Sequence, residues 1–168
     1  DYALPLALAW ETRDDEPLSR LRGHVLARVR RRAQVGVLYD AAQDPAFALA
    51  LTRAMQAGQE FAANDGARLR CWATAALEEA DFVPSADVRP LNVEQSNSSV
   101  RFGNRMVLKL IRRVRWGVHP EVEIGHFLTE VARFPNIPEL LGAAEFVAAD
   151  DQTATMAVLQ RYVDNQGD

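Results

Sequence analysis

The sequence predicts an α+β fold: a small α+β subdomain over residues 1–84, then an antiparallel sheet with one main helix over residues 85–168. Three observations predict it. Apolar and polar residues alternate over short stretches, as at 25–30 and 35–39, the period of half-buried strands. Two stretches instead carry apolar residues at helical spacing, and each is opened by a proline, at Pro45 and Pro120. The second half runs strand, polar loop, strand, tight turn, strand with a lysine, helix with glutamates, strand, strand.

The elements follow in chain order. Residues 2–10 are apolar and read as a strand, with Pro5 placing it at an edge. Residues 25–39 read as a hairpin turning near 31–34, in which Arg28 and Arg30 occupy a solvated strand face rather than a phosphate patch. Asp44 is a helix N-cap and Pro45 the first helical residue; Phe47, Leu51, Ala54 and Met55 then form a core stripe. Asn64-Asp65-Gly66 ends that helix in a turn. A strand is expected at 67–74, a short helix or turn at 75–80, and a linker at 82–86 that carries the subdomain boundary.

Beyond the linker, 88–94 is strand-like and 95–99 a polar loop. A short strand follows at 100–102, with a tight turn at Gly103-Asn104. The most hydrophobic strand, 106–111, leads into a basic loop at 112–117. His119-Pro120 opens a helix with Ile124, Phe127, Leu128 and Val131 on one face, and Pro135 and Pro138 end it. Two further strands, 140–148 and 155–160, surround a turn at Asp150-Asp151.

Composition narrows the function. Hydrophobic residues make up 48% and charged residues 25% of the chain, the balance of a folded globular protein. A net charge of -4 gives no support for nonspecific nucleic-acid binding, so no nucleic-acid partner is expected. No apolar run is long enough for a spanning helix, and the opening residues lack the basic start of a signal peptide. A single cysteine, Cys71, cannot form an internal disulfide, which fits a reducing, cytoplasmic setting. It reads as a small core residue. The sequence does not begin with methionine and is expected to be a piece of a longer chain.

Lys109 is the residue that needs explaining. It stands inside Val107-Leu108-Lys109-Leu110-Ile111, where a charge is costly unless paired or facing a cleft. Glu123, in the first turns of the following helix, can be aimed back at it; Glu121 is the rival partner. Both acids also suit a helix N-terminus through its dipole, and an exposed lysine on a half-buried strand is the plainer alternative. A strand lysine held by a helix glutamate is how protein-kinase-like enzymes grip the α- and β-phosphates of ATP. The loop 95–99 precedes this strand and offers hydroxyl, amide and backbone N–H donors, although such loops are commonly plain turns. Arg112, Arg113 and Arg115 read as a solvated basic loop, with phosphates or an acidic neighbouring lobe as the alternative. His119 and His126 share a helix without a third ligand, so no metal site is expected there. His24 receives no role.

Taken together, Val93-Glu94-Gln95-Ser96-Asn97-Ser98-Ser99, Phe102-Gly103, Leu108-Lys109-Leu110, Pro120-Glu121-Val122-Glu123, Phe134-Pro135-Asn136-Ile137-Pro138 and the ending Val158-Leu159-Gln160 with Val163-Asp164-Asn165-Gln166-Gly167-Asp168 resemble bacterial maltokinases. Leu4-Pro5-Leu6, Leu38-Tyr39-Asp40-Ala41 and Asp44-Pro45-Ala46-Phe47 resemble that family's N-terminal cap subdomain. The resemblance covers almost the whole chain. It implies a protein-kinase-like N-lobe behind a cap, related to aminoglycoside phosphotransferases. The implied activity is transfer of the γ-phosphoryl of ATP to maltose, giving maltose 1-phosphate for trehalose and glycogen (α-glucan) metabolism.

The resemblance further implies ATP with Mg²⁺ as cofactors. Lys109 would sit on the α- and β-phosphates, Glu123 would orient it, and Ser96, Asn97, Ser98 and Ser99 would form the phosphate-covering loop. Gln160, Arg161, Tyr162 and Val163 would form the hinge that binds the adenine edge. The catalytic aspartate, the Mg²⁺ ligands and most of the maltose site belong to a C-terminal lobe in that family. The piece alone is therefore expected to be inactive. The parent is either a free kinase or one fused to a trehalose synthase domain. The rival expectation is a noncatalytic interaction module docking a trehalose synthase or a glucan-synthesising partner.

Overall fold

A computed structural model describes residues 1–11, 21–79, 87–91 and 97–164. The expected linker at 82–86, the loop residues 92–96 with Ser96, and the final residues 165–168 lie outside the described residues.

The fold is mixed α+β, and every strand ladder among the described residues is antiparallel. Strands β1 (Leu6–Trp10), β2 (Val25–Arg31) and β3 (Gln34–Asp40) form a small sheet in the order β1-β3-β2. Its β2–β3 hairpin turns at Arg32, which takes the left-handed conformation at φ 57°, and Arg28 and Arg30 are exposed as expected. β1 lies at an edge, the position that Pro5 signalled.

The larger sheet contains β4 (Glu60–Ala62), β5 (Arg68–Ala73), β6 (Val88–Pro90), β7 (Asn97–Phe102), β8 (Met106–Ile111), β9 (Leu140–Val147) and β10 (Thr153–Arg161). Their order is β4-β5-β9-β10-β8-β7-β6. β4 and β5 come from the residues before 84 and extend this sheet through the β5–β9 ladder, so the expected boundary at 84 and 85 does not separate two cores. β4 was not anticipated: its three residues are all exposed and carry no burial pattern.

Helix α1 (Pro45–Gln56) starts as the sequence predicts, with Asp44 Oδ1 accepting from the Ala46 N–H at 2.8 Å. Tyr39 braces the same cap, its hydroxyl donating to Asp44 Oδ2 at 2.5 Å. Ala54 and Met55 are buried, and Phe47 and Leu51 pack against the same core. That core fills one face of the large sheet with Val100, Phe102, Leu108, Leu110, Leu141 and Leu159, and Leu77 of α2 (Ala75–Glu79) closes it. On the opposite face, Leu140, Ala143 and Val158 meet Val122 of α3 (Pro120–His126), with Trp72 alongside. A sheet covered on both faces buries consecutive residues. The first five residues of β9 are all buried, which explains its unbroken apolar run.

Close packing of β9 depends on Gly142. A methyl group there would lie 2.6 Å from the Trp72 carbonyl oxygen and 3.3 Å from the Ala73 Cα, both backbone atoms of paired β5. Gly142→Ala is therefore expected to destabilise the fold by ~1–3 kcal/mol, the usual cost of overpacking. A urea melt with an unchanged slope and a lowered midpoint would show it; an unchanged midpoint would refute it.

The α3 region departs from expectation. The helix widens after His126 into a π-helical segment, Phe127–Val131, in which the Ala132 N–H donates to the Phe127 carbonyl. The side chain that α3 buries is Val122, whereas Ile124, Phe127 and Val131 are 56%, 54% and 65% exposed. Three of the four residues of the expected apolar face are thus exposed, and the fourth, Leu128, is half-buried. Gly125 brings the helix against β9, where an added Cβ would sit 3.3 Å from that of Leu140. No helix among the described residues is long and apolar enough to cross a membrane.

Candidate functional site around Lys109

β8 alternates across the sheet. Met106, Leu108 and Leu110 point into the α1-side core, and Lys109 emerges on the opposite face, beneath α3. Its neighbours across the ladders are Ser99 of β7 and Val158 of β10. Lys109 Nζ meets Glu121 Oε1 at 2.5 Å, with the two side chains 26% and 36% exposed. Strand and helix are thereby pinned by a half-buried ion pair.

The expected partner, Glu123, is replaced by its rival. The reason lies in helix geometry. Residues two apart stand roughly 200° apart around an α-helix. Val122 anchors the sheet-facing side, so Glu121 leans toward β8 and Glu123 toward β5. Glu123 lines a cleft on that side, with Arg70, Trp72, His126 and Glu145, which Lys109 does not line.

Of the expected phosphate-covering residues, Asn97, Ser98 and Ser99 belong to strand β7 rather than to a loop. Ser99 shares the face of Lys109. Ser98 is 3% exposed on the α1 side with Val100 and Phe102, so its hydroxyl is turned away from Lys109. The polar Asn97-Ser98-Ser99 run conceals a strand because apolar residues alternate only from Val100, although burial alternates from Asn97 onward.

The expected hinge lies where β10 ends. Gln160 pairs with Val107 and shares the face of Lys109. The Arg161 N–H donates to the Glu139 carbonyl at 2.9 Å and the Tyr162 N–H to the Arg105 carbonyl at 2.8 Å, so both are engaged within the protein. The Arg161 guanidinium also pairs with Glu139, and that of Arg101 lies 5.2 Å from the centre of the Tyr162 ring. Val163 is exposed.

Arg112 does not remain in a solvated loop. Its Nη1 donates to Asp40 Oδ1 at 2.9 Å and its Nη2 to Oδ2 at 2.5 Å, joining the large sheet to the small one. The Ala3 N–H donates to the Arg112 carbonyl at 2.9 Å along the same seam. Burial acts to raise the Asp40 pKa, but hydrogen bonds from Arg112 and the Ala42 N–H, with the Arg112 charge, hold it below the ordinary carboxylate value. Arg113 and Arg115 are exposed, as expected of a solvated loop.

A second polar group went unnoticed in the sequence. Glu145 Oε2 accepts from Arg70 Nη2 and from Trp72 Nε1, both at 2.8 Å. Arg70 and Glu145 are far apart in the chain and meet only because β5 pairs with β9. No local signal announces them.

Cys71 is buried in the α1-side core, and burial pushes its thiol pKa up. A buried thiol is a poor nucleophile. Alkylation by iodoacetamide at neutral pH is therefore expected only on unfolding; rapid labelling of the native protein would contradict this placement.

No family model matches the chain.

Proposed function

We propose that this chain is the nucleotide-gripping part of an ATP-dependent sugar kinase of maltokinase type, with maltose as acceptor and maltose 1-phosphate as product. The observation that carries the reading is the Lys109–Glu121 pair. It joins the third strand of the β6-β7-β8 meander to the helix that follows, the arrangement that protein kinases use to hold ATP phosphates. In this reading Glu121 orients the ammonium, and Lys109 exchanges part of its contact with Glu121 for the α- and β-phosphate oxygens. Ser99, across the ladder on the same face, adds a hydroxyl donor. Gln160 and Val163 remain the adenine-side candidates.

During transfer the bond from the γ-phosphorus to the β,γ-bridging oxygen breaks, and a bond to the anomeric oxygen of maltose forms. The base that takes the anomeric proton and the ligands for Mg²⁺ belong, in this reading, to a further lobe. Mg²⁺ would supply neutralisation of phosphate charge. The chain on its own is then inactive. A parent protein that includes the further lobe is expected to convert ATP and maltose to ADP and maltose 1-phosphate, followed by phosphorus NMR. A folded parent that binds no ATP and phosphorylates no sugar would refute the reading.

The second reading, a noncatalytic module that docks a trehalose synthase or glucan-synthesising partner, is favoured by one observation: the outward apolar stripe Ile124, Phe127 and Val131. It gives no reason for a lysine to be paired inside β8.

A further inference from the structure

We propose that the apolar cavity between α1, residues 3–5 and the large sheet binds an uncharged, largely hydrocarbon molecule, such as a one- or two-ring aromatic. The inference does not rest on the kinase reading, because Leu110 turns its side chain to this face of β8 and Lys109 to the other. The cavity has a volume of about 250 Å³. Protein interiors are close-packed and hold few voids larger than a water molecule, so an apolar space of this size is exceptional.

The sequence leaves the space open at the sheet. Ala157 of β10 stands opposite both Ala144 of β9 and Leu110 of β8. Two adjacent, buried methyl groups thus form part of the floor, where larger side chains would fill it. Phe47 and Leu51 of α1 supply the facing wall, and Pro5 a further one. The β9–β10 ladder slips between Thr155 and Ala157, and the residue left over, Met156, lines the cavity. Methionine adapts its unbranched side chain to irregular space and packs well against aromatic rings. Met156 is half-buried and Leu4 is 48% exposed, so the cavity is reached from solvent on their side.

The chemistry of the walls selects the ligand class. Leu110, Ala144 and Ala157 lie in strands paired on both sides, so their backbone groups belong to the ladders. The Ala3 N–H donates to the Arg112 carbonyl and the Pro5 carbonyl accepts from the Ala41 N–H, both at 2.9 Å. Arg112, the charged residue in the wall, has both arms on Asp40. Water is a poor occupant, because a buried water takes roughly three hydrogen bonds. An anion would have to draw Arg112 away from Asp40. An uncharged apolar molecule demands nothing of these groups. An engineered apolar cavity of about 150 Å³ takes up benzene. In proportion, about 250 Å³ holds a ligand of roughly ten carbon atoms.

The test is a carbon–proton NMR titration of this chain, methyl-labelled at alanine and methionine, with toluene and benzoate as separate probes. The expected result is a saturable shift of the Ala144, Ala157 and Met156 methyl signals with toluene, at submillimolar affinity. Nuclear Overhauser contacts from the toluene ring to the same methyl groups accompany it, and benzoate produces neither. Ala157→Leu and Leu51→Trp each fill the space, and each is expected to weaken toluene binding roughly tenfold or more in a chain whose remaining spectrum stays folded. If one variant fails to fold, the other decides; if neither folds, the contacts in the unsubstituted chain decide. Toluene shifts confined to other signals, equal shifts with benzoate, undiminished toluene affinity in a folded variant, or no response to toluene would each overturn the proposal.

Discussion

If the chain grips ATP as proposed, Lys109→Ala is expected to weaken MgATP binding about 10- to 100-fold and to abolish measurable phosphoryl transfer in a protein that includes the proposed further lobe. Hydrogen bonds involving a charged partner contribute roughly 1.5–3 kcal/mol, and the ammonium of Lys109 is already oriented by Glu121. Loss of binding on this scale would be read by calorimetric titration, with circular dichroism establishing that the variant folds. Glu121→Gln retains a hydrogen-bond acceptor but loses the charge, and a smaller loss, about 3- to 10-fold, is expected by the same principle. Glu123→Gln changes MgATP affinity less than Glu121→Gln, because Glu123 faces the β5 side. The reverse ranking would restore Glu123 as the partner of Lys109. An unchanged affinity in Lys109→Ala would remove the nucleotide site from this face of the sheet.

The largest expected effect on stability comes from Asp40. Its carboxylate receives both arms of the Arg112 guanidinium and the Ala42 N–H. The Asp40 and Arg112 side chains are only 16% and 23% exposed. Removing one partner of a buried pair costs about 3–5 kcal/mol because the other charge is left stranded. Partial solvent access at this seam lowers the expectation for Asp40→Ala to roughly 2–4 kcal/mol, measured by urea denaturation. The double variant Asp40→Ala with Arg112→Met is expected to recover part of the loss, since no unpaired charge then remains.

The pH dependence follows from the lowered pKa of Asp40. A carboxylate with a folded-state pKa below its unfolded value adds stability that is fully present above the unfolded pKa, about 3.9. That stability is lost as the pH falls through the folded value. The Asp40 contribution is therefore constant at neutral pH and declines below about pH 4. In Asp40→Asn that part of the acid dependence disappears. An acid limb identical in wild type and variant would show that the Asp40–Arg112 contact carries no net stability.

Much of the chain was legible because its signals are local. The Asp44-Pro45 helix start, the 25–39 hairpin, the strand 106–111 and the turn at Gly103 depend on residues a few positions apart, and the structure contains all four. The site was legible to the same depth. Lys109 stood out because a charge interrupts an apolar strand. Its two possible partners, Glu121 and Glu123, were both visible because each lies in the first turns of the next helix.

The sequence by itself determined the α+β class, the hairpin, the capped helix and the position of Lys109 among apolar neighbours, since side-chain periodicity and backbone preferences act over a few residues. Only the tertiary structure decided which glutamate meets Lys109, because that depends on the rotation of α3 about Val122 and not on spacing. Strand pairing likewise decided that β4 and β5 join the large sheet and that Arg70, Trp72 and Glu145 share one cleft, and the side-by-side placement of the two sheets decided that Arg112 reaches back to Asp40. Each of these contacts joins elements that are not neighbours along the chain, and no short-range pattern encodes which strands or sheets will lie side by side.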